Sequence, residues 1–394
     1  MKNESVAILD IRSYEITFML GSKGVNDTFV FYGSHTEKYE GFSNEGFFDE
    51  NSFKNAVYTA VNSVSQNYGG RVTEVCVGVP SAFVSVATKG HTCSFPSKRK
   101  ITAQDVEALY ESGLAELMHE GKCIRKSNMY FTLGDKRKYF NVNDLHGVST
   151  NLVKGALSYY FVSDYFYEFI HSVLADMGIE KISFIPSSLA QALYLLPPKR
   201  REGYAFLLDV GFLTTTFSVV YGNGIVREET FNFGLGTALV ALMQTLGVEY
   251  ETAEEILSTT NVSGGAIAKD VTWTSERGDL SFPLCQINEI VKCALDEICE
   301  SVENFFTKYY KDKNMTALAV NPISITGEGV ACIVGASEHI AGRLNRLTEI
   351  ISPELPYYDK PTFSSRMSLL SVALSDKKKR SWISKIFKSL GGNE

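Results

Sequence analysis

Residues 6–9 and 205–208 are apolar runs, each followed by an aspartate, a short turn and a second β-rich stretch, within 6–20 and 204–220. A short apolar run bounded by turn residues is the mark of a buried strand, so each stretch predicts two strands joined by a tight turn. The two stretches use one pattern twice. Ala7-Ile-Leu-Asp-Ile-Arg-Ser-Tyr-Glu-Ile-Thr-Phe18 and Leu207-Leu-Asp-Val-Gly-Phe-Leu-Thr-Thr-Thr-Phe-Ser-Val219 each run an apolar strand into an aspartate, a turn and a second strand. Copies half a chain apart predict two related lobes with Asp10 and Asp209 facing one cleft. That geometry suits phosphates held between opposing hairpins.

Elsewhere the pattern changes. Residues 50–67 carry Phe53, Val57, Ala60, Val61 and Val64 at helical spacing, and 72–79 read as a strand stopped by Pro80. Residues 82–164 form a stretch of different character: a strand at 83–87, a basic turn at 96–100, a helix with Thr102 as N-cap, and strands at 129–133, 139–142 and 156–162. This predicts a small α+β module inserted into the first lobe. Helices at 164–177 and 187–194, with a strand at 181–185, return the chain to that lobe. A third strand is expected at 225–231, helices at 236–246, 252–259 and 285–310, and a polar stretch at 263–279. The expected organisation is 1–81 with 165–200 as the first lobe and 82–164 as the insertion. Residues 201–240 with 318–374 make the second lobe, 241–317 its helical subdomain, and 375–394 a tail.

Composition narrows the class. The chain has 394 residues, 25 Phe, 20 Tyr and a net charge of −7, which suits more than one packed core and argues against a nucleic-acid partner. No run of about 18 apolar residues occurs and no leader pattern opens the chain, so a cytoplasmic protein is expected. The seven cysteines form no C-x-x-C and the six histidines no cluster, which reads as reduced thiols and no zinc site.

The order of these elements resembles the actin-like ATPases, and specifically the FtsA family of bacterial division proteins. The residues that carry the resemblance are Asp10-Ile-Arg-Ser-Tyr-Glu15, Asp209-Val-Gly-Phe-Leu-Thr-Thr-Thr216 and Thr326-Gly-Glu-Gly329. Pro186-Ser-Ser-Leu-Ala-Gln-Ala192, Ala253-Glu-Glu-Ile256 and the insertion with Ile101-Thr-x-x-Asp-Val106 add to it. The resemblance implies an α/β, actin-like fold of two duplicated lobes with an FtsA-type inserted subdomain. It implies nucleotide contacts at Asp10, Arg12, Ser13, Asp209, Gly211, Thr214, Thr215, Glu254, Gly327 and Gly329. Asp10 and Asp209 would hold Mg²⁺ through water beside ATP.

The motifs depart from the family's pattern where phosphate would sit. Its Gly, Thr and Lys become Arg12, Ser13 and Glu15; two glycines become Phe212 and Leu213; an aspartate becomes Thr216 and a lysine Leu257. A phosphate-facing lysine replaced by glutamate turns attraction into repulsion. Two readings stand. ATP binds with weak or absent hydrolysis, Arg12 and the hydroxyl of Thr214 or Thr215 helping, or Phe212 and Leu213 fill the cleft of a scaffold.

The end of the chain carries separate chemistry. Lys377, Lys378, Lys379 and Arg380 precede Trp382, Ile383, Ile386, Phe387 and Leu390, which share one helical face. A basic amphipathic helix with an aromatic anchor predicts in-plane binding to an anionic membrane, each cation contributing about 1 kcal/mol. The family ends in a similar helix. The resemblance then implies a peripheral protein on the inner face of the cell membrane. It would tether FtsZ filaments through the FtsZ C-terminal peptide, recruit later divisome proteins and self-associate into filaments. An alternative is a PilM-like scaffold of a pilus or secretion assembly.

Overall fold

A computed structural model describes residues 5–25, 28–263, 270–275, 278–310 and 321–390, with 274–275 and 379–390 described by their backbone. Contacts divide the chain into two units. One comprises Met1–Gly203, Tyr221–Arg227 and Ser365–Glu394; the other comprises Tyr204–Val220 and Glu228–Ser364.

The first unit opens with β1 (Ser5–Ile11), β2 (Glu15–Lys23), β3 (Phe29–Lys38), α1 (Glu50–Tyr68) and β4 (Glu74–Val79). The inserted module follows as β5 (Val84–Lys100), α2 (Ala103–Ala115), β6 (Lys122–Leu133), β7 (Lys138–Tyr139) and β8 (Ser149–Val162). The chain then continues through α3 (Asp164–Asp176), β9 (Lys181–Pro186), α4 (Ser187–Leu195) and α5 (Pro198–Arg201). The second unit holds β10 (Tyr204–Val210), β11 (Thr215–Tyr221), β12 (Gly224–Phe231), α6 (Leu235–Leu246), α7 (Tyr250–Thr259), β13 (Asp270–Ser275), β14 (Gly278–Pro283) and α8 (Leu284–Tyr310). After β15 (Ile323–Thr326), α9 (Glu328–Ala331), α10 (Ala336–Leu344) and β16 (Thr348–Ile350), a long α11 (Ser364–Leu390) leads back into the first unit.

The duplicated pattern is a duplicated topology. One sheet has the order β3-β2-β1-β4-β9 and the other β12-β11-β10-β15-β16. In both, the aspartate-bearing strand is central and a parallel strand lies beside it. Asp10 stands level with Gly78 of β4, and Asp209 level with Thr326 of β15. Phe53 of α1 and Phe166 of α3 are fully buried over the first sheet and join Phe47, Phe83 and Phe169 in one aromatic core. Truncating such a phenylalanine typically costs about 3–5 kcal/mol.

The inserted module is a four-stranded sheet, β5-β8-β6-β7, with α2 packed on one face. Thr102 caps α2 in a reciprocal box with Asp105, as its position predicts. Arg99 forks onto the same carboxylate at 2.7 and 2.5 Å, and that hydrogen bonding holds Asp105 below the usual carboxylate range. The basic turn expected at 96–100 is instead the end of the 17-residue β5, which pairs with β8 through an irregularity between Ser94 and Arg99. Polar residues on its open face weaken the apolar alternation by which a strand is recognised, and Pro96 is accommodated at the edge.

Two further segments differ from the expected partition. Asn223 donates from its backbone to Asn128 at 3.0 Å and from its side chain to Phe140 at 2.6 Å, while Arg201 donates to the Gly222 carbonyl at 2.6 Å. These bonds draw Tyr221–Arg227 to the inserted module. Residues 365–374, expected in the second lobe, begin α11 and pack on the first sheet. Leu370 lies over Gly21, where an added Cβ would stand 3.0 Å away, and Leu369 covers Gly78. A glycine under a leucine on each strand lets the helix lie close.

Candidate functional site

The two hairpins lie in separate units, and each is built from its own neighbours. In the first, Arg12 N donates to Glu15 O at 2.9 Å and closes the turn after β1. The Tyr39 hydroxyl donates to the Arg12 carbonyl at 2.5 Å. Asp10 is 2% exposed, and its Oδ1 accepts a hydrogen bond from Ser365 Oγ at 2.7 Å. Burial lifts the Asp10 carboxyl above its ordinary value; Arg12, the Ser365 hydroxyl and Arg366 work against the rise, and Glu15 adds to it. Glu15 itself pairs with Arg366 Nη2 at 3.4 Å, and Arg366 Nη1 donates to Thr36 at 3.3 Å. Glu15 thus faces a cation supplied by α11. Ser13 is buried and Arg12 half-buried.

In the second hairpin, Gly211 N donates to Thr214 O at 2.9 Å across the Phe212-Leu213 tip. That tip sits on the start of α6. Leu235 N donates to Gly211 O at 3.0 Å and Gly236 N to Phe212 O at 2.8 Å. The first amides of a helix have no partner within it and are the groups that would meet an anion. Here two of them are already bonded to the hairpin's carbonyls. Phe212 and Leu213 also lie over Gly236, each 3.3 Å from where its Cβ would stand, and Leu213 is 38% exposed. The Thr215 hydroxyl donates to Phe233 O at 2.7 Å and is fully buried. Thr214 and Asp209 are half-buried.

Gly327 has φ +101° and lies so close to Asp209 and the Val210 carbonyl that no Cβ fits. Gly329 faces Val210 Cγ1, which a Cβ would approach to 2.7 Å. These glycines seat the Thr326–Gly329 loop on the hairpin. Glu254 is exposed on α7, and its charge, with that of Glu328, acts on Cys332, whose thiol is pushed up mainly by burial. The second unit therefore gathers Asp209, Gly211, Gly327 and Gly329 around one turn, with Glu254 beside the loop.

Within each unit, groups that would meet a magnesium nucleotide are engaged by the protein. Asp10 is sealed by Ser365, a glutamate occupies the first turn, and the amides at α6 are bonded to protein. Among the described residues no cluster of three or more His, Cys, Asp or Glu side chains could hold a metal. Sequence patterns missed Ser365 and Arg366, although Ser364-Ser365-Arg366 before an apolar run is a helix-start signal.

At the tail, α11 is helical to Leu390. Lys377 Nζ donates to Ser5 O at 2.8 Å, and Lys378 is exposed. The side chains of Lys379, Arg380, Trp382, Ile383, Ile386, Phe387 and Leu390 lie outside the described residues. Among the described residues no helix is long and apolar enough to cross a membrane.

No family model matches the chain, and no curated protein does. Solved structures do. The PilM–PilN type IV pilus biogenesis complex matches with a TM-score of 0.61 at 10% identity, over 94% of this chain and 98% of that one. MreB5 of Spiroplasma citri bound to AMPPNP matches with 0.55 at 10% identity, over 99% of both chains. The MamK double helical filament matches with 0.50 at 12% identity, over 94% and 98%. The chain has the actin-like ATPase fold. At these identities the likeness carries the fold alone.

Proposed function

We propose that this protein is an actin-like scaffold that works at a membrane surface by holding partners, with little or no turnover of ATP. The observation that carries this reading is the use of the Leu235 and Gly236 amides by the carbonyls of Gly211 and Phe212. A hairpin and helix start bonded to each other serve as architecture. In the finer form of this reading, suggested by the resemblance to FtsA, the scaffold tethers FtsZ filaments through their C-terminal peptide. It also recruits later divisome proteins and self-associates into filaments. The Lys377–Arg380 run and the apolar stripe after it support attachment to an anionic leaflet. The test is recruitment of FtsZ polymers to anionic vesicles carrying the full chain. Recruitment that is lost when FtsZ lacks its C-terminal peptide supports the tether, and absence of recruitment overturns it.

A second reading is a PilM-like scaffold that binds a short segment of a membrane protein, favoured by the match to the PilM–PilN complex over nearly the whole chain. On that reading FtsZ stays in solution in the same assay.

A further inference from the structure

Away from both hairpins, the first unit holds a cavity of about 620 Å³, bordered by Arg125 of β6, Tyr167 of α3, Phe184 of β9, and Ala373, Asp376 and Lys377 of α11. On its wall Arg125 and Asp376 form a two-pronged ion pair, Nη1 to Oδ2 and Nη2 to Oδ1, the latter at 3.1 Å. Their side chains are 23% and 20% exposed. The pair joins the inserted module to α11. The next residue, Lys377, donates to the Ser5 carbonyl at 2.8 Å and so ties the same turn to the start of β1.

Position gives this joint its meaning. Before it, α11 is pinned by Leu369 and Leu370 over Gly78 and Gly21, and Val372–Leu374 are buried. After it, the helix carries Lys378, Lys379 and Arg380. The ion pair and the Lys377 bond one residue later are described ties at the point where the basic run begins. A buried pair normally resists opening because each lone charge is left without water. Here both charges border a cavity that water can enter, so parting the pair would leave each charge solvated.

We propose that Arg125–Asp376 is a latch on the C-terminal helix. Closed, it holds the final buried turn of α11 and keeps Lys377 on the Ser5 carbonyl. Open, it releases that turn and adds Lys377 to the cations that face an anionic surface. The last step rests on the membrane reading; the latch itself is a property of the first unit.

The test uses the full chain with Asp376→Asn, with Arg125→Met, and with the swap Arg125→Asp/Asp376→Arg. Two quantities are measured: amide hydrogen exchange over residues 371–378 and partition onto phosphatidylglycerol vesicles. Each single variant is expected to speed exchange there about tenfold, the weight of a charged hydrogen bond, with the amides of β1 and β4 unchanged. Each is also expected to raise vesicle partition about fivefold, the weight of one lysine at such a surface. The swap returns both toward the parent. Parental exchange rates in the single variants, or a swap that stays fast, overturn the latch. Faster exchange with no vesicle binding by any chain, parent included, upholds the latch and overturns the membrane reading instead.

Discussion

Ser365 Oγ donates to Asp10 Oδ1 over 2.7 Å, joining residues 355 positions apart. The first turn of α11 thus closes over the carboxylate of the first hairpin. The next residue, Arg366, balances Glu15 in the same turn. One helix start therefore supplies partners to both acidic side chains of the hairpin.

Asp10 titrates in a direction that can be checked. Its native pKa lies above the ordinary value, chiefly through burial, so folding takes up a proton on this group. The resulting cost to stability is absent well below about pH 4, where both states are protonated, and grows as pH rises from there to the shifted value. Asp10→Asn is expected to raise the melting temperature at pH 7 and to raise it progressively less as pH falls toward and below about 4. A variant less stable than the parent at pH 7 would show that the ionised carboxylate is the stabilising form.

Nucleotide binding has a direct measurement. Titration calorimetry of the full chain with ATP and Mg²⁺ is expected to give no saturable heat, because the first two amides of α6, the Thr215 hydroxyl and Asp10 Oδ1 are bonded within the protein. Saturable micromolar binding that disappears in Asp209→Ala would restore the nucleotide reading.

The two glycines of the Thr326–Gly329 loop should differ in cost. Gly327→Ala meets backbone at a left-handed φ and is expected to destabilise by about 2 kcal/mol or more. Gly329→Ala keeps an ordinary φ and meets Val210 Cγ1 at 2.7 Å and two backbone carbonyls at 3.1 Å, and should cost less, about 1 kcal/mol. Denaturant midpoints rank the pair, and equal effects would remove the hairpin contact as the reason for Gly327.

A chain lacking residues 377–394 keeps the Arg125–Asp376 pair and loses the basic helix end. It is expected to stay in the supernatant with anionic vesicles while the full chain pellets, and pelleting of the full chain should weaken with added salt. Equal pelleting of both chains would defeat the anchor.

Much of this was legible from pattern. The repeated strand-Asp-turn-strand read correctly as two sheets of one topology, and the Thr102 cap on α2 was legible because capping is local. The length of β5 was not. Its outward residues are polar, and only pairing with β8 makes a strand of residues 96–100. The placement of 365–374 was hidden as well, since an apolar helix matches many surfaces and the glycines at 21 and 78, with the distant partners of Ser365 and Arg366, select this one.

The duplicated hairpin, the fold class and the loss of phosphate-gripping residue types follow from the order of amino acids, because strand period, turn chemistry and charge are properties of neighbours in the chain. Tertiary structure alone decided where the remaining polar groups point. Asp10 meets Ser365, Glu15 meets Arg366, and the α6 amides meet the second hairpin, because hydrogen bonds form between atoms close in space, and these partners are far apart along the chain.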